Sequence, residues 1–149
     1  MRRLRGNVLV VALAIALAAV AGCGDGEEAT PQKSVQALVE DAGTEGAQAT
    51  VEKFFEAGNE RDANTICALV TEDQALAFGR AAGGDCVRGM RALFEAEDPP
   101  QTKLIIEDVR VRGDRATVDA TITQGGETRP TSLSLIQEGG DWKLTDPGL

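Results

Sequence analysis

The chain has 149 residues, the usual length of one domain. It carries 24 acidic and 15 basic residues, a net charge of −9, without the clustered lysines and arginines that bind phosphates. The sequence therefore predicts no nucleic-acid partner. The acidic surface is expected mainly to keep the domain soluble.

Residues 1–22 are typical of an export signal. Three arginines, Arg2, Arg3 and Arg5, precede an uncharged apolar run over residues 8–20. This run is shorter than the roughly 20 apolar residues that a membrane-spanning helix needs, so a cleaved signal peptide is favoured over a permanent span. Its loss would leave 12 basic and 24 acidic residues, a net charge of −12.

The end of this segment, Val20-Ala21-Gly22-Cys23, resembles the lipobox of bacterial lipoproteins. The resemblance implies a diacylglyceryl thioether on Cys23, cleavage between Gly22 and Cys23, and a protein anchored at the extracytoplasmic face of the cell membrane. Acylation of the new N-terminus, for example by palmitate, is left open. Ordinary secretory cleavage is the alternative, because that peptidase also accepts small residues before the cut.

The chain has three cysteines, an odd number for an exported protein. If Cys23 carries lipid, Cys67 and Cys86 remain as a pair in an oxidising compartment, and we predict that they form a disulfide. Two buried free thiols are the alternative. The chain has no histidine, and two isolated cysteines do not make a zinc site, so we predict no metal and no cofactor.

Residues 23–46 are rich in Gly, Glu, Ala and Thr and are predicted to form a flexible tether. Within them, residues 34–40 have a short helical pattern that is too brief for independent stability. The folded domain is predicted to occupy residues 47–149.

Four helices are predicted in the first half of this domain. Apolar residues recur at helical spacing from Ala47 to Gly58. The next three helices are each expected to begin at a residue whose side chain can cap the first turn: Asp62, Thr71 and Asp85. Two consecutive prolines close the helical segment.

Four β-strands are predicted in the second half. Residues 115–124 alternate, with apolar side chains from Ala116 to Ile122 on one face and polar ones from Thr117 to Thr123 on the other. Glycine-containing turns separate strands that we expect at residues 103–111, 115–124, 131–138 and 142–145. Helices followed by an antiparallel meander predict an α+β fold.

Four motifs follow one another along the chain: Val51-x-x-Phe54-Phe55-x-Ala57, Asp62-x-x-x-x-Cys67-Ala68-Leu69, Val109-x-Val111-x-Gly113-Asp114-x-Ala116-x-Val118 and Gly140-Asp141-Trp142-Lys143-Leu144. Their order resembles the nuclear transport factor 2-like superfamily, in particular its small lipoprotein members from high-GC Gram-positive bacteria. The resemblance covers roughly residues 47–146. It implies N-terminal helices packed in a strongly curved antiparallel sheet, which forms a cone with an interior pocket.

The resemblance leaves the function open, because one fold serves many functions. The superfamily includes ketosteroid isomerases, SnoaL-like polyketide cyclases, dehydratases and non-catalytic association or binding domains. Its enzymes commonly place Asp, His and Tyr on the pocket wall, and this chain contains neither His nor Tyr. A tyrosine oxyanion donor and a His–Asp pair are therefore excluded, and we assign no catalytic residue.

Asp119 and Trp142 are the candidate pocket residues. Turned inward, Asp119 could act as a base of raised pKa, but the threonines that share its face favour a solvated position. Trp142 could line the pocket, although packing in the core is more usual for such an aromatic residue. Glu107 and Asp108 could mark a rim pair or a β-bulge.

Three functions are compatible with these features. We favour a non-enzymatic, membrane-anchored domain that binds a small apolar ligand in the cone, or a protein partner through the sheet. The alternative is an enzyme of dehydratase or hydrolase type that relies on carboxylates and requires an inward-facing Asp119. The third is a scaffold that acts through homodimerisation, which is common for curved sheets of this superfamily.

Overall fold

The computed structural model describes residues 35–147. The predicted signal peptide and Cys23 lie outside these residues. Within them, four helices precede four strands: α1 (Val35–Glu60), α2 (Ala63–Leu69), α3 (Glu72–Ala81), α4 (Cys86–Glu97), β1 (Thr102–Arg112), β2 (Arg115–Gln124), β3 (Glu127–Glu138) and β4 (Asp141–Asp146). None of the described helices is both long and apolar enough to cross a membrane.

Helix α1 begins at Val35, so residues 35–46 are helical and the predicted tether is wrong for this stretch. Gly43 and Gly46 of this stretch lie where α1 contacts the sheet. A Cβ atom on Gly46 would lie 3.0 Å from Cδ1 of Trp142, and one on Gly43 would lie 3.4 Å from Cγ1 of Val111. These two glycines therefore allow a close approach between helix and sheet, where the composition had indicated flexibility.

The shorter helices begin where the capping residues predict. The carboxylate of Asp62 accepts hydrogen bonds from the backbone N–H groups of Asn64 (3.0 Å) and Thr65 (3.2 Å). Asp85 accepts from the N–H of Arg88 at 2.9 Å, at the start of α4. Each cap satisfies backbone donors that have no partner inside the helix, which fixes where the helix can start.

The four strands form one antiparallel sheet in the order β1-β2-β3-β4. The register of β1 against β2 shifts between Ile106 and Asp108, so Glu107 occupies a β-bulge. Because a bulge bends its strand, this one contributes to the curvature of the sheet. Helices packed in a curved four-stranded antiparallel sheet confirm the predicted fold class.

Strand β3 begins at Glu127, four residues before its predicted start, and includes Pro130. Within β3, only residues 134–138 pair with β4. Pro130 therefore lies on a part of β3 with a sheet neighbour on one side only, where the missing N–H group is tolerated.

The core lies between the helices and the concave face of the sheet. On that face Ala116, Val118, Ala120 and Ile122 are all buried, as the alternation in β2 predicts. In register with them, Leu133 lies opposite Val118, and Leu135 lies opposite Ala116. The helices contribute further fully buried side chains to the same cluster: Val51, Ile66 and Met90.

Cys67 of α2 and Cys86 of α4 form a disulfide, with Cα atoms 6.0 Å apart. The predicted pairing is confirmed, in preference to two free thiols. The two cysteines are 19 residues apart in the sequence. In the chain-entropy model, closing a loop of this length stabilises the fold by roughly 3 kcal/mol. The bond ties α2 to the first residue of α4, and both helices form part of the wall described next.

Candidate functional site

A cavity of about 220 Å³ opens between α1, α4 and one end of the sheet. Its wall is mostly apolar and comes from the helices and from the loop that follows α4. The apolar side chains are those of Phe54, Phe55, Ile66, Met90, Leu93, Phe94, Pro99 and Pro100. An apolar cleft with a few polar groups at its edge is the usual form of a small-molecule site.

Helical spacing explains how this wall forms. On α4, Leu93 and Phe94 lie three and four residues after Met90, which places all three on one face. On α1, Phe54 packs edge-to-face against Phe55 with ring centroids 5.7 Å apart. Gly58 lies one turn beyond Phe54 and has no heavy atom within 4 Å of a Cβ position, so it leaves space open in the cavity.

Asn59 joins the end of α1 to the start of β1 at the edge of the cavity. Its Nδ2 donates to the carbonyl oxygen of Thr102 at 2.8 Å, and its Oδ1 accepts from the Thr102 N–H at 2.7 Å. Both polar atoms of the Asn59 amide are thereby hydrogen-bonded to the backbone of one residue, Thr102. We interpret Asn59 as a structural clamp that holds the mouth of the cavity in shape.

Two charged residues, Glu97 and Arg129, also line the cavity. Glu97 is the last residue of α4. Arg129 is in β3 and lies opposite Ile122 in the register. Because residues paired across an antiparallel ladder point to the same face, Arg129 shares the concave face with buried Ile122.

Asp119 lies on the opposite, outer face of the sheet, which corrects its place as a pocket candidate. Its carboxylate accepts hydrogen bonds from Ser132 Oγ at 2.7 Å and from Arg110 Nη2 at 2.6 Å. Arg110 also donates to Asp108 at 2.8 Å. With its side chain one-third exposed and doubly hydrogen-bonded, Asp119 does not have the desolvated environment that a pocket base requires.

These hydrogen bonds predict a lowered pKa for Asp119. The Ser132 hydroxyl, followed by the Arg110 guanidinium, lowers the pKa of Asp119 below its ordinary value of 3.8. The ionised form is therefore favoured in the fold, and its contribution to stability is present above the ordinary pKa and lost as the pH falls through the folded value. An NMR titration of the side-chain carboxyl carbon should show this lowered midpoint.

The two donors provide the control for that titration. We expect Ser132→Ala and Arg110→Gln each to move the Asp119 midpoint upward, because each removes a group that favours the carboxylate. A midpoint above 3.8 in the unmodified protein would contradict this assignment and would restore Asp119 as a candidate base.

Trp142 is buried in the core and does not line the cavity, which corrects the second pocket candidate. Its indole packs against the helix at Gly46. The residues that do form the site, Asn59 and Arg129 among them, were not predicted from the sequence. The helical spacing of Met90, Leu93 and Phe94 was visible, but it does not distinguish a cavity wall from a filled core.

No metal site emerges from the described part of the chain, where no three Asp, Glu, Cys or His side chains gather closely enough to hold an ion. The polar groups at the mouth are two amides, those of Asn59 and Gln124, together with one threonine, one carboxylate and one guanidinium. This set can orient a ligand by hydrogen bonds and charge.

No known protein family and no curated protein matches the sequence. Among solved structures, the chain is similar to a provisionally named dehydratase of the nuclear transport factor 2-like family from Streptomyces avermitilis, with 21% identity over 70% of this chain and 91% of that one and a TM-score of 0.48. A nuclear transport factor 2-like protein of unknown function from Shewanella baltica has 14% identity over 76% and 92% of the two chains, with a TM-score of 0.48.

A third similar structure is a provisionally named ketosteroid isomerase from Kribbella flavida, with 22% identity over 72% of this chain and 78% of that chain and a TM-score of 0.44. Two of these three proteins, those from Streptomyces avermitilis and Shewanella baltica, are described as nuclear transport factor 2-like. At such identities and scores, no activity carries over to this chain.

Proposed function

We propose that this protein is a membrane-anchored, extracytoplasmic domain that binds a small apolar molecule in the cavity between α1, α4 and the sheet. The observation that carries the proposal is the composition of the wall, where eight apolar side chains surround about 220 Å³. Burial of a hydrocarbon there would release about 25 cal/mol for each Å² of apolar surface removed from water.

The volume limits the size of the ligand. Pockets for drug-sized ligands are typically about 300–1,000 Å³, and an apolar cavity of about 150 Å³ holds benzene. The cavity of this protein lies between these limits. A ligand of one or two rings, or a short hydrocarbon chain, fits it, whereas a whole phospholipid does not.

The proposed location has two supports. The first is the lipobox-like Val20-Ala21-Gly22-Cys23, which follows a positively charged and then apolar segment. The second is the disulfide between Cys67 and Cys86, because such bonds form and persist mainly outside the reducing cytoplasm. Lipid on Cys23 would keep the domain, and any ligand that it holds, close to the membrane surface.

Replacement of Gly58 by leucine tests the binding function directly. The new side chain would enter the open space of the cavity, so we expect the affinity for 1-octanol, a neutral apolar probe, to fall at least tenfold. Stability should not fall, because Leu is roughly 0.8 kcal/mol better than Gly in a helix interior. Isothermal titration calorimetry on the mature chain (residues 23–149) would measure the affinity.

Gly58→Ala is the matched control, since it makes the same backbone change but fills little of the cavity. We expect it to retain most of the 1-octanol affinity. Failure of the unmodified chain to bind the probe, or equal binding by the Gly58→Leu variant, would contradict the proposed function.

A further inference from the structure

We propose that the ligand carries an acidic group, which Arg129 binds at the mouth of the cavity; this inference rests on the proposed function. Arg129 lines the cavity from the sheet side. Its position opposite Ile122 directs it to the concave face.

Arg129 has an unused charge. Among residues 35–147 the side-chain ion pairs formed by arginines are those of Arg61 with Asp98 and of Arg110 with Asp108 and Asp119, and none involves Arg129. A guanidinium has five N–H donors in a planar fork, and its best partner is a carboxylate bound through both oxygens. A cation with free donors beside an apolar wall therefore favours an anionic head group on an apolar body.

Gln124 adds a second donor on the same side of the mouth. It lies in β2 opposite Thr102, and its Nε2 donates at 3.4 Å to the carbonyl oxygen of Pro100. At 3.4 Å this is a long hydrogen bond, and an amide nitrogen has two N–H donors, so it can also donate to a ligand. The sheet side of the mouth thus offers donors from Gln124 and Arg129 together.

Glu97 is the opposing charge at the mouth. It belongs to the last turn of α4, where the partial negative charge of the helix end adds to that of the carboxylate. This side of the mouth therefore repels an anion, and an acidic head group is expected at the sheet side. The same argument makes Glu97→Gln a useful variant, because it should strengthen the binding of an anion.

The cavity volume sets the length of the apolar part. If about 150 Å³ holds the six carbons of benzene, then about 220 Å³ holds roughly eight or nine carbon atoms. We therefore assign the ligand to the class of small monocarboxylates with an apolar body of about this size, such as a medium-chain or aryl carboxylate.

Three probes with the same eight-carbon chain test the assignment: octanoate, 1-octanol and octylammonium. Calorimetric titration of the mature chain should give an order of affinity of octanoate, then 1-octanol, then octylammonium. In Arg129→Gln the octanoate affinity should fall roughly tenfold, as for loss of a charged hydrogen bond. The 1-octanol affinity should change far less. In Glu97→Gln the octanoate affinity should rise two- to threefold, by the removal of a nearby like charge.

The outcomes separate the two proposals. Equal affinity for octanoate and 1-octanol, or tightest binding of octylammonium, would overturn the acidic ligand while leaving the apolar pocket intact. Equal loss of affinity for all three probes in the Arg129→Gln variant would also overturn it, because the arginine would then shape the cavity without binding the head group. Failure of all three probes to bind would refute the proposed function itself.

Discussion

Replacement of Gly89 by alanine is expected to destabilise the protein by about 2 kcal/mol or more, in the range of severe overpacking. Gly89 is a buried residue in the first half of α4, where that helix crosses the end of α3. A Cβ atom on Gly89 would lie 2.1 Å from the carbonyl oxygen of Phe78 and 2.7 Å from its carbonyl carbon. Both are backbone atoms, so the conflict is relieved only if the two helices separate.

The contact with Phe78 makes Gly89→Ala destabilising, although the intrinsic helix propensity of alanine favours the substitution. Within a helix, alanine is favoured over glycine by about 1 kcal/mol. At Gly58, where a Cβ atom meets nothing within 4 Å, the same substitution should therefore be neutral or stabilising. Thermal unfolding of the two variants compares an identical chemical change in two helices, and the melting temperature of Gly89→Ala should fall by roughly 10 °C.

Displacement of α4 in the Gly89→Ala variant should also change the cavity. Met90 and Phe94 belong to α4 and line the cavity, so displacement of α4 should also weaken 1-octanol binding. The disulfide at Cys86 limits this displacement at the start of the helix. A Gly89→Ala variant as stable as the unmodified protein would show that α3 and α4 are not in such close contact.

Local signals predicted most of the fold. The caps Asp62 and Asp85 act within three residues of their own position, and the alternation of β2 needs no knowledge of its neighbours. Such features are properties of a short stretch of chain, and a single sequence displays them. The threonines beside Asp119 likewise favoured the outer face that it occupies, against its place as a pocket candidate.

Features that depend on distant partners were missed or misjudged. Gly43 and Gly46 resemble linker residues until Val111 and Trp142 are seen to pack against them. The carboxylate of Asp119 was expected to be solvated, but its hydrogen bonds to Ser132 and Arg110 follow from the pairing of three strands.

The place of Arg129 in the candidate site also depends on its partner in the neighbouring strand. Only its register opposite Ile122 puts it on the concave face. A pairing shifted by one residue would put Pro130 there instead and turn Arg129 outward. Composition and periodicity do not fix that register, and a charged residue next to a proline is typical of a strand edge.

Substitution of Cys23 by alanine is expected to abolish acylation. If Cys23 is the lipidation site, incorporation of labelled palmitate by cells that produce the protein should fall to background in this variant. The reason is chemical, because the thioether needs a sulfur at this position and the chain offers no other cysteine before Cys67. Mass spectrometry of the membrane fraction should find an N-terminal peptide that begins with diacylglyceryl-modified Cys23.

The matched control is the double variant Cys67→Ala/Cys86→Ala, which also removes cysteines but leaves Cys23 in place. It should retain the label and the membrane location even where its stability is reduced. Two acyl chains bind a bilayer essentially irreversibly at about 0.8 kcal/mol per buried CH₂, so the expected difference in location is nearly complete. An unmodified Cys23 in the membrane fraction would refute the anchor. The proposed ligand site would be unaffected, because its lining residues belong to α1, α2, α4, the loop after α4 and the sheet.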